Sequence, residues 1–296
     1  MDADTLRQWR AAPLTIMDES LPLTIEQVLS HHGAELWSPT RYESLIPTEA
    51  CLRLYLPASK IQESDRHIRR MTILPEGRPE FYDFDLFHQA GQTPLLGNRH
   101  LTELSYTVFD TETTGLDPKG GDEIISIGAV RVLNGRLLRE EFFDQLVNPQ
   151  RPLPYASVKI HGIQEEMLKD QPTIASVLRI FQAFCEETIL VAHNAAFDMR
   201  MLQLKEEETG VRFINPVLDT MHLSAVVHPA HEDHSISAIA KRLGISVVGR
   251  HTALGDAITT GEIFLKLIPL LADKGIYTLA EARRASQKTY YARLKY

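Results

Sequence analysis

The chain has 296 residues, of which 44% are hydrophobic and 24% charged, enough apolar side chains for one large core or two smaller ones and too many for a wholly disordered or coiled-coil protein. Lys and Arg total 31 against 39 Asp and Glu, a net charge of −8, which argues against coating long nucleic acid by bulk electrostatics. It leaves room for an enzyme that grips only a strand end, because bound cations can supply positive charge locally.

The opening MDADTLRQWR carries Asp2 and Asp4 where a secretory leader would be basic. The longest greasy run, IFLKLIPLL, is too short for a membrane span and contains Lys266 and Pro269. Cys51 and Cys185 fit neither a disulfide framework nor a CxxC zinc pattern. A cytoplasmic protein without membrane association is expected.

In chain order, TIEQVLSHHGAELW (residues 24–37) reads as a helix and MTILPEGRPEFYDFDLF (residues 71–87) as a hairpin around Glu76-Gly77. Residues 1–100 therefore read as an α+β extension or small domain. Its chemistry is not legible, and the adjacent His31 and His32 have no carboxylate spaced to complete a site.

From about residue 104 the pattern is that of an α/β unit. Ser105 to Asp110 alternates like a half-buried strand. IISIGAVRV joins RLLREEFFDQLV through Asn134-Gly135, a strong hairpin signal because both turn positions need positive φ. A helix over IASVLRIFQAFCEE and a short strand, TILVAH, follow a Pro-rich connection. Next come a helix capped by Asn194 that stops at Gly210, a second ending at Gly244, and a third that starts at Thr252 and kinks or ends at Pro269. Hairpin-linked strands followed by helices imply an α/β fold, a mixed sheet flanked by helices.

Three segments carry chemistry. In FDTETTGL, Asp110 and Glu112 are two apart at a strand end, so they project from one face and repel unless a cation or proton lies between them. Alone, such a pair is common on solvated strands. In HNAAFDMRML, Asp198 falls in a helix's first turn, favoured by the dipole whether or not it has a ligand. In HTALGDA, His251 lies in the loop before a helix that carries Asp256 beside Leu254 and Ala257. A buried acid there needs a partner or a metal, and a loop histidine suits a general base.

Jointly, Asp-x-Glu on a first strand, Asp in the first turn of a middle helix and His-x4-Asp at the last helix closely resemble the three motifs of the DnaQ-like (DEDDh) 3′-5′ exonucleases. That family includes the proofreading epsilon subunit of bacterial DNA polymerase III and the RNase T-type RNA-trimming enzymes. The resemblance spans residues 104–272, and His161-Gly162-Ile163 and Leu218-Asp219-Thr220 also look like family segments.

It implies an RNase H-like fold, with an exonuclease domain over residues 101–272. Asp110, Glu112, Asp198 and Asp256 would hold two divalent cations, Mg²⁺ or Mn²⁺. His251 would be the base, and Thr113, Leu116, Ile163, His161 and Asn194 would contact or support the terminal nucleotide. Asp219 is assigned mainly to structure.

The remaining residues, 273–296, carry six basic side chains against two acidic ones, with Tyr290, Tyr291 and Tyr296 among them. Thr278 and Glu281 make a capping box there. Either a docked peripheral helix or a phosphate-contacting one fits. The expected substrate is a nucleic acid 3′ end, DNA ahead of RNA; a non-catalytic polymerase accessory is the contrasting reading. With no long flexible linker in view, a stand-alone enzyme is favoured over association with a DNA polymerase.

Overall fold

The structure is a computed structural model. It describes residues 93–247 and 249–289 continuously and, before them, residues 8, 11–16, 19–27, 35–37, 53–55, 84–87 and 91. The chain divides into two compact units, Met1–Gly77 and Arg78–Tyr296.

In the first unit, β1 (Pro13–Ile16) pairs antiparallel with β2 (Glu19–Thr24), and β3 (Glu35–Trp37) with β4 (Arg53–Tyr55). Of the helix expected over residues 24–37, residues 25–27 are helical and 35–37 form the strand β3 instead, while residues 28–34 lie outside the described residues. β-Sheet pairing with Arg53–Tyr55 overrides the local helical pattern there. His31 and His32, and most of the hairpin expected at residues 71–87, lie outside the described residues.

The second unit is built on a five-stranded mixed sheet. β5 (Tyr106–Thr113) lies at its centre, paired antiparallel with β6 (Ile124–Leu133), which pairs antiparallel with β7 (Arg136–Leu146). On the other side β5 pairs parallel with β8 (Ile189–Ala192), and β8 with β9 (Val217–Asp219). The β6–β7 turn has Asn134 at φ 50° and Gly135 at φ 69°, the left-handed pair that this hairpin type requires. The α/β fold expected from the sequence, a mixed sheet flanked by helices, is borne out.

Alternation along β5 sends Phe109 to one face and Tyr106 and Val108 to the other, and each face has its own core. On the Phe109 face α1 (Ile174–Phe184) and α2 (Ala195–Gln203) pack through Phe181, Phe184 and Phe197. The Phe143 and Phe181 rings are 5.2 Å apart there. On the opposite face α3 (Thr220–Val227), α4 (Ile236–Leu243) and α5 (Ala253–Ala272) contribute Leu223, Ile239 and Phe264. Tyr106 meets Phe264 edge-on at 4.7 Å. Each fully buried aromatic contributes about 1.5–3 kcal/mol.

Covered on both faces, β5 has no exposed residue, so the half-buried strand expected there is fully buried. The helix expected to kink or end at Pro269 continues to Ala272. Proline gives up the bond to the Leu265 carbonyl and its ring crowds that oxygen, yet the helix runs three residues further.

Residues 84–104 and 273–289 also belong to this unit. Leu86 lies in the Phe109-side core, and the Gly91 N–H donates to the Ile214 carbonyl at 2.7 Å. α6 (Leu279–Ser286) starts at the Thr278–Glu281 capping box and docks through Leu279 and Ala282. Arg283 donates to the Phe87 carbonyl, tying that helix to the segment ahead of the sheet. Among the described residues, no helix is long and apolar enough to cross a membrane.

Candidate active site

Asp110 and Glu112 share the Val108 side of β5, the side on which α5 lies, and both are buried. Thr252 caps α5 by accepting the Gly255 N–H at 3.1 Å, which fixes the first turn and with it Asp256. That turn can reach the sheet because Gly128, opposite Asp110 in the β5–β6 ladder, has no side chain. A Cβ at Gly128 would overlap the backbone of Ala253 and Leu254. One carboxylate oxygen each from Asp110, Glu112 and Asp256 then fall within 4.8 Å of one another.

The two oxygens of Asp256 have different surroundings. Oδ2 accepts from the Arg250 guanidinium at 3.0 Å and from the His251 N–H at 3.1 Å. Oδ1 is buried without a hydrogen-bond partner. An all-oxygen donor set of three buried carboxylates, one with an unsatisfied acceptor atom, fits a hard divalent cation.

Asp198 comes from the other direction. It is fully buried in the first turn of α2, and its Oδ1 accepts from the Thr111 N–H at 3.1 Å and the Thr111 hydroxyl at 2.6 Å. By strand alternation Thr111 faces away from Asp110 and Glu112, so Asp198 is not one of the three clustered carboxylates.

Asn194 precedes α2 as expected, but at φ 55° its side chain makes no capping bond. The capping acceptor comes instead from Asp219 at the end of β9. Asp219 takes the N–H groups of Asn194 at 3.1 Å, Ala195 at 2.9 Å and Met221 at 2.8 Å. It therefore anchors the helix that carries Asp198, the structural role expected for it.

His251 occupies the loop before α5 at φ 63°, with its backbone amide on Asp256. His161 ends the helix Tyr155–His161, and its Nδ1 accepts the Ile163 N–H at 3.0 Å. Nε2 therefore carries the proton in the neutral ring, and it is buried with no partner. Burial, and next the nearby His251, push the His161 pKa down to about 4. Ile163 is buried beside this ring, Thr113 is buried with its hydroxyl on the Gly115 carbonyl at 2.7 Å, and Leu116 is 44% exposed.

Three contributors carried no legible signal of their role. They are Arg250, next to His251; Thr111, between the two paired acids; and Gly128 in an ordinary-looking strand.

The family model described as "Exonuclease" matches residues 107–264, more than half of the chain and inclusive of every carboxylate above. The chain belongs to this exonuclease family. It is 46% identical over 300 residues to a Rhodobacter capsulatus protein named "DNA polymerase III subunit epsilon-like protein", covering 94% of this chain and 41% of that one. It is 36% identical over 181 residues to the Bacillus subtilis "DNA polymerase III PolC-type", covering 60% of this chain and 12% of that one. The chain thus spans about two fifths of the first relative and about an eighth of the second.

Among solved structures, the nuclease domain of 3′hExo, a DEDDh family member bound to rAMP, matches with a TM-score of 0.52 at 16% identity, over 60% of this chain and 96% of that one. Cell-death related nuclease 4 matches at 0.51 and 16%, over 59% and 65%. These likenesses establish the fold: the sheet and its helices form the RNase H-like exonuclease domain.

Proposed function

We propose that this chain is a divalent-metal-dependent 3′-5′ exonuclease that removes nucleoside 5′-monophosphates from DNA 3′ ends, single-stranded or frayed, in repair or proofreading. The observation that carries the reading is the group of three buried carboxylates with the unpartnered Asp256 Oδ1. The names of the Rhodobacter capsulatus and Bacillus subtilis relatives support DNA as the polymer.

Asp110, Glu112 and Asp256, joined by Asp198 from the first turn of α2, would hold two cations, Mg²⁺ or Mn²⁺. Bound there, the cations supply a hydroxide source and charge for the departing 3′ oxygen. His251 accepts the proton of the attacking water from a loop fixed by its own amide on Asp256. In-line attack breaks the bond between phosphorus and the 3′ oxygen of the penultimate nucleotide, leaving a strand one residue shorter.

His161 presents its Nε2–H as a neutral donor to the terminal nucleotide. Thr113, Leu116 and Ile163 give it backbone and apolar contact with little dependence on base identity. Asn194 supports the start of α2. The chemistry lies within residues 101–272, outside both residues 1–100 and the basic tail 273–296. The cytoplasmic setting expected from cysteine usage belongs to the same reading, as does association with a DNA polymerase as its secondary form.

The test is a time course on 5′-labelled single-stranded DNA and RNA of one sequence, with Mg²⁺, Mn²⁺ or EDTA, run beside Asp110→Ala. A metal-dependent ladder shortening from the 3′ end, faster on DNA and absent in the variant, is expected. Faster shortening of RNA would transfer the assignment to 3′-end trimming of RNA. No shortening of either strand would overturn the enzyme in favour of a polymerase accessory.

A further inference from the structure

We infer that Arg250 exchanges partners during turnover: its guanidinium holds Asp256 before a strand end enters the site and takes a non-bridging oxygen of the scissile phosphodiester once it has. The inference rests on the metal-dependent exonuclease reading above.

Arg250 is placed for both states. Its guanidinium reaches Asp256 Oδ2 at 3.0 Å, while its side chain is 34% exposed against 5% for Asp256. It therefore sits at the edge of the acidic group with an open side toward solvent. With three carboxylates buried close together, a guanidinium on one of them offsets part of their mutual repulsion.

Departure of Arg250 does not strip Asp256 Oδ2 of its last donor. Asp256 Oδ2 also accepts the His251 N–H at 3.1 Å, so both the carboxylate and the loop that carries His251 stay anchored when the guanidinium leaves. Oδ1, the atom without a partner, is available to a cation while Arg250 is still in place.

The charges give the direction of the exchange. Two divalent cations held by Asp110, Glu112, Asp198 and Asp256 would balance those four carboxylates and leave the guanidinium as a surplus positive charge at the edge of the site. A phosphodiester carries one negative charge, and the planar fork of arginine suits its non-bridging oxygens.

The experiment uses the full chain and two variants, Arg250→Gln, which keeps a donor for Asp256 but no charge, and Arg250→Lys, which keeps the charge without the fork. Mn²⁺ binding is measured by calorimetry without nucleic acid, and kcat/KM on 5′-labelled single-stranded DNA at saturating Mn²⁺. Arg250→Gln is expected to bind Mn²⁺ as tightly as the native chain or more so, and to lose about 10- to 100-fold in kcat/KM, the worth of one charged hydrogen bond. Arg250→Lys should fall between the two.

A residue that only braces Asp256 gives the opposite pattern: weaker Mn²⁺ binding in Arg250→Gln and a rate restored by saturating metal. That result, or an unchanged kcat/KM, overturns the inference. If the native chain binds Mn²⁺ and cleaves while Arg250→Gln matches it, the role of Arg250 alone fails; if the native chain does neither, the exonuclease reading fails with it.

Discussion

Gly128 stands directly across the β5–β6 ladder from Asp110, and the space where its side chain would be is filled by the backbone of Ala253 and Leu254 at the start of α5. A strand glycine thus sets how closely the helix that carries Asp256 approaches the strand that carries Asp110 and Glu112. Gly128→Ala should push that first turn outward by overlap with backbone, which cannot yield as a flexible side chain can. We expect a loss of about 1–3 kcal/mol in denaturant unfolding and a larger proportional loss of Mn²⁺ affinity in calorimetry. Native metal affinity in a folded Gly128→Ala protein would refute this account.

Neutralising one of the clustered carboxylates should move stability and activity in opposite directions. Asp110, Glu112 and Asp256 are buried within 4.8 Å of one another, and like charges at that distance destabilise the metal-free fold. Glu112→Gln should raise the metal-free melting temperature by a few degrees, about 2–4 °C per kcal/mol for a unit of this size. It should also remove most of the stabilisation that added Mg²⁺ gives the native protein and abolish cleavage. Differential scanning calorimetry with and without Mg²⁺ provides the comparison, and a lowered metal-free melting temperature would count against repulsion.

His161 makes stability depend on pH in a defined window. Its folded-state pKa of about 4 lies below the ordinary value of 6.5, so between those pH values the unfolded chain binds a proton that the folded chain refuses. Stability from this group is complete above pH 6.5 and declines as pH falls toward 4. His228 and His234 are shifted down by burial in the same sense, so the native curve alone does not isolate His161. His161→Gln keeps those two and should flatten the melting temperature against pH between 6.5 and 4; parallel curves would exclude His161 as a contributor.

The sheet and the motif residues were legible because their signals are local. Asn134-Gly135 names its turn, Thr278 and Glu281 name their cap, and period-two alternation places Asp110 and Glu112 on one side of a strand. What could not be read was pairing across long separations. Nothing near Asn194 reveals that its capping acceptor is Asp219, 25 residues later. Nor does a half-buried pattern at Ser105 to Asp110 reveal helices on both faces of β5. The C-terminal end of the helix expected at residues 24–37 is a strand for a related reason, since Glu35–Trp37 pairs with Arg53–Tyr55. Arg250 was obscured by its neighbours: beside His251 it reads as a surface charge, and only the folded first turn of α5 brings Asp256 back to it.

Thr111 holds one oxygen of Asp198 with both its hydroxyl and its amide. The Thr111 Oγ1–H donates to Asp198 Oδ1 at 2.6 Å, the amide adds a second bond at 3.1 Å, and both residues are fully buried. Thr111→Val keeps the shape and the backbone donor but removes the hydroxyl, leaving a buried carboxylate oxygen with one bond fewer. A hydrogen bond to a buried charge is worth about 1.5–3 kcal/mol, so unfolding in urea should reveal a loss of that order. Asp198 would also be held less firmly in orientation, so kcat should fall about tenfold while KM for single-stranded DNA changes little. A stability loss with native kcat would mean that the amide alone suffices to hold Asp198 in place.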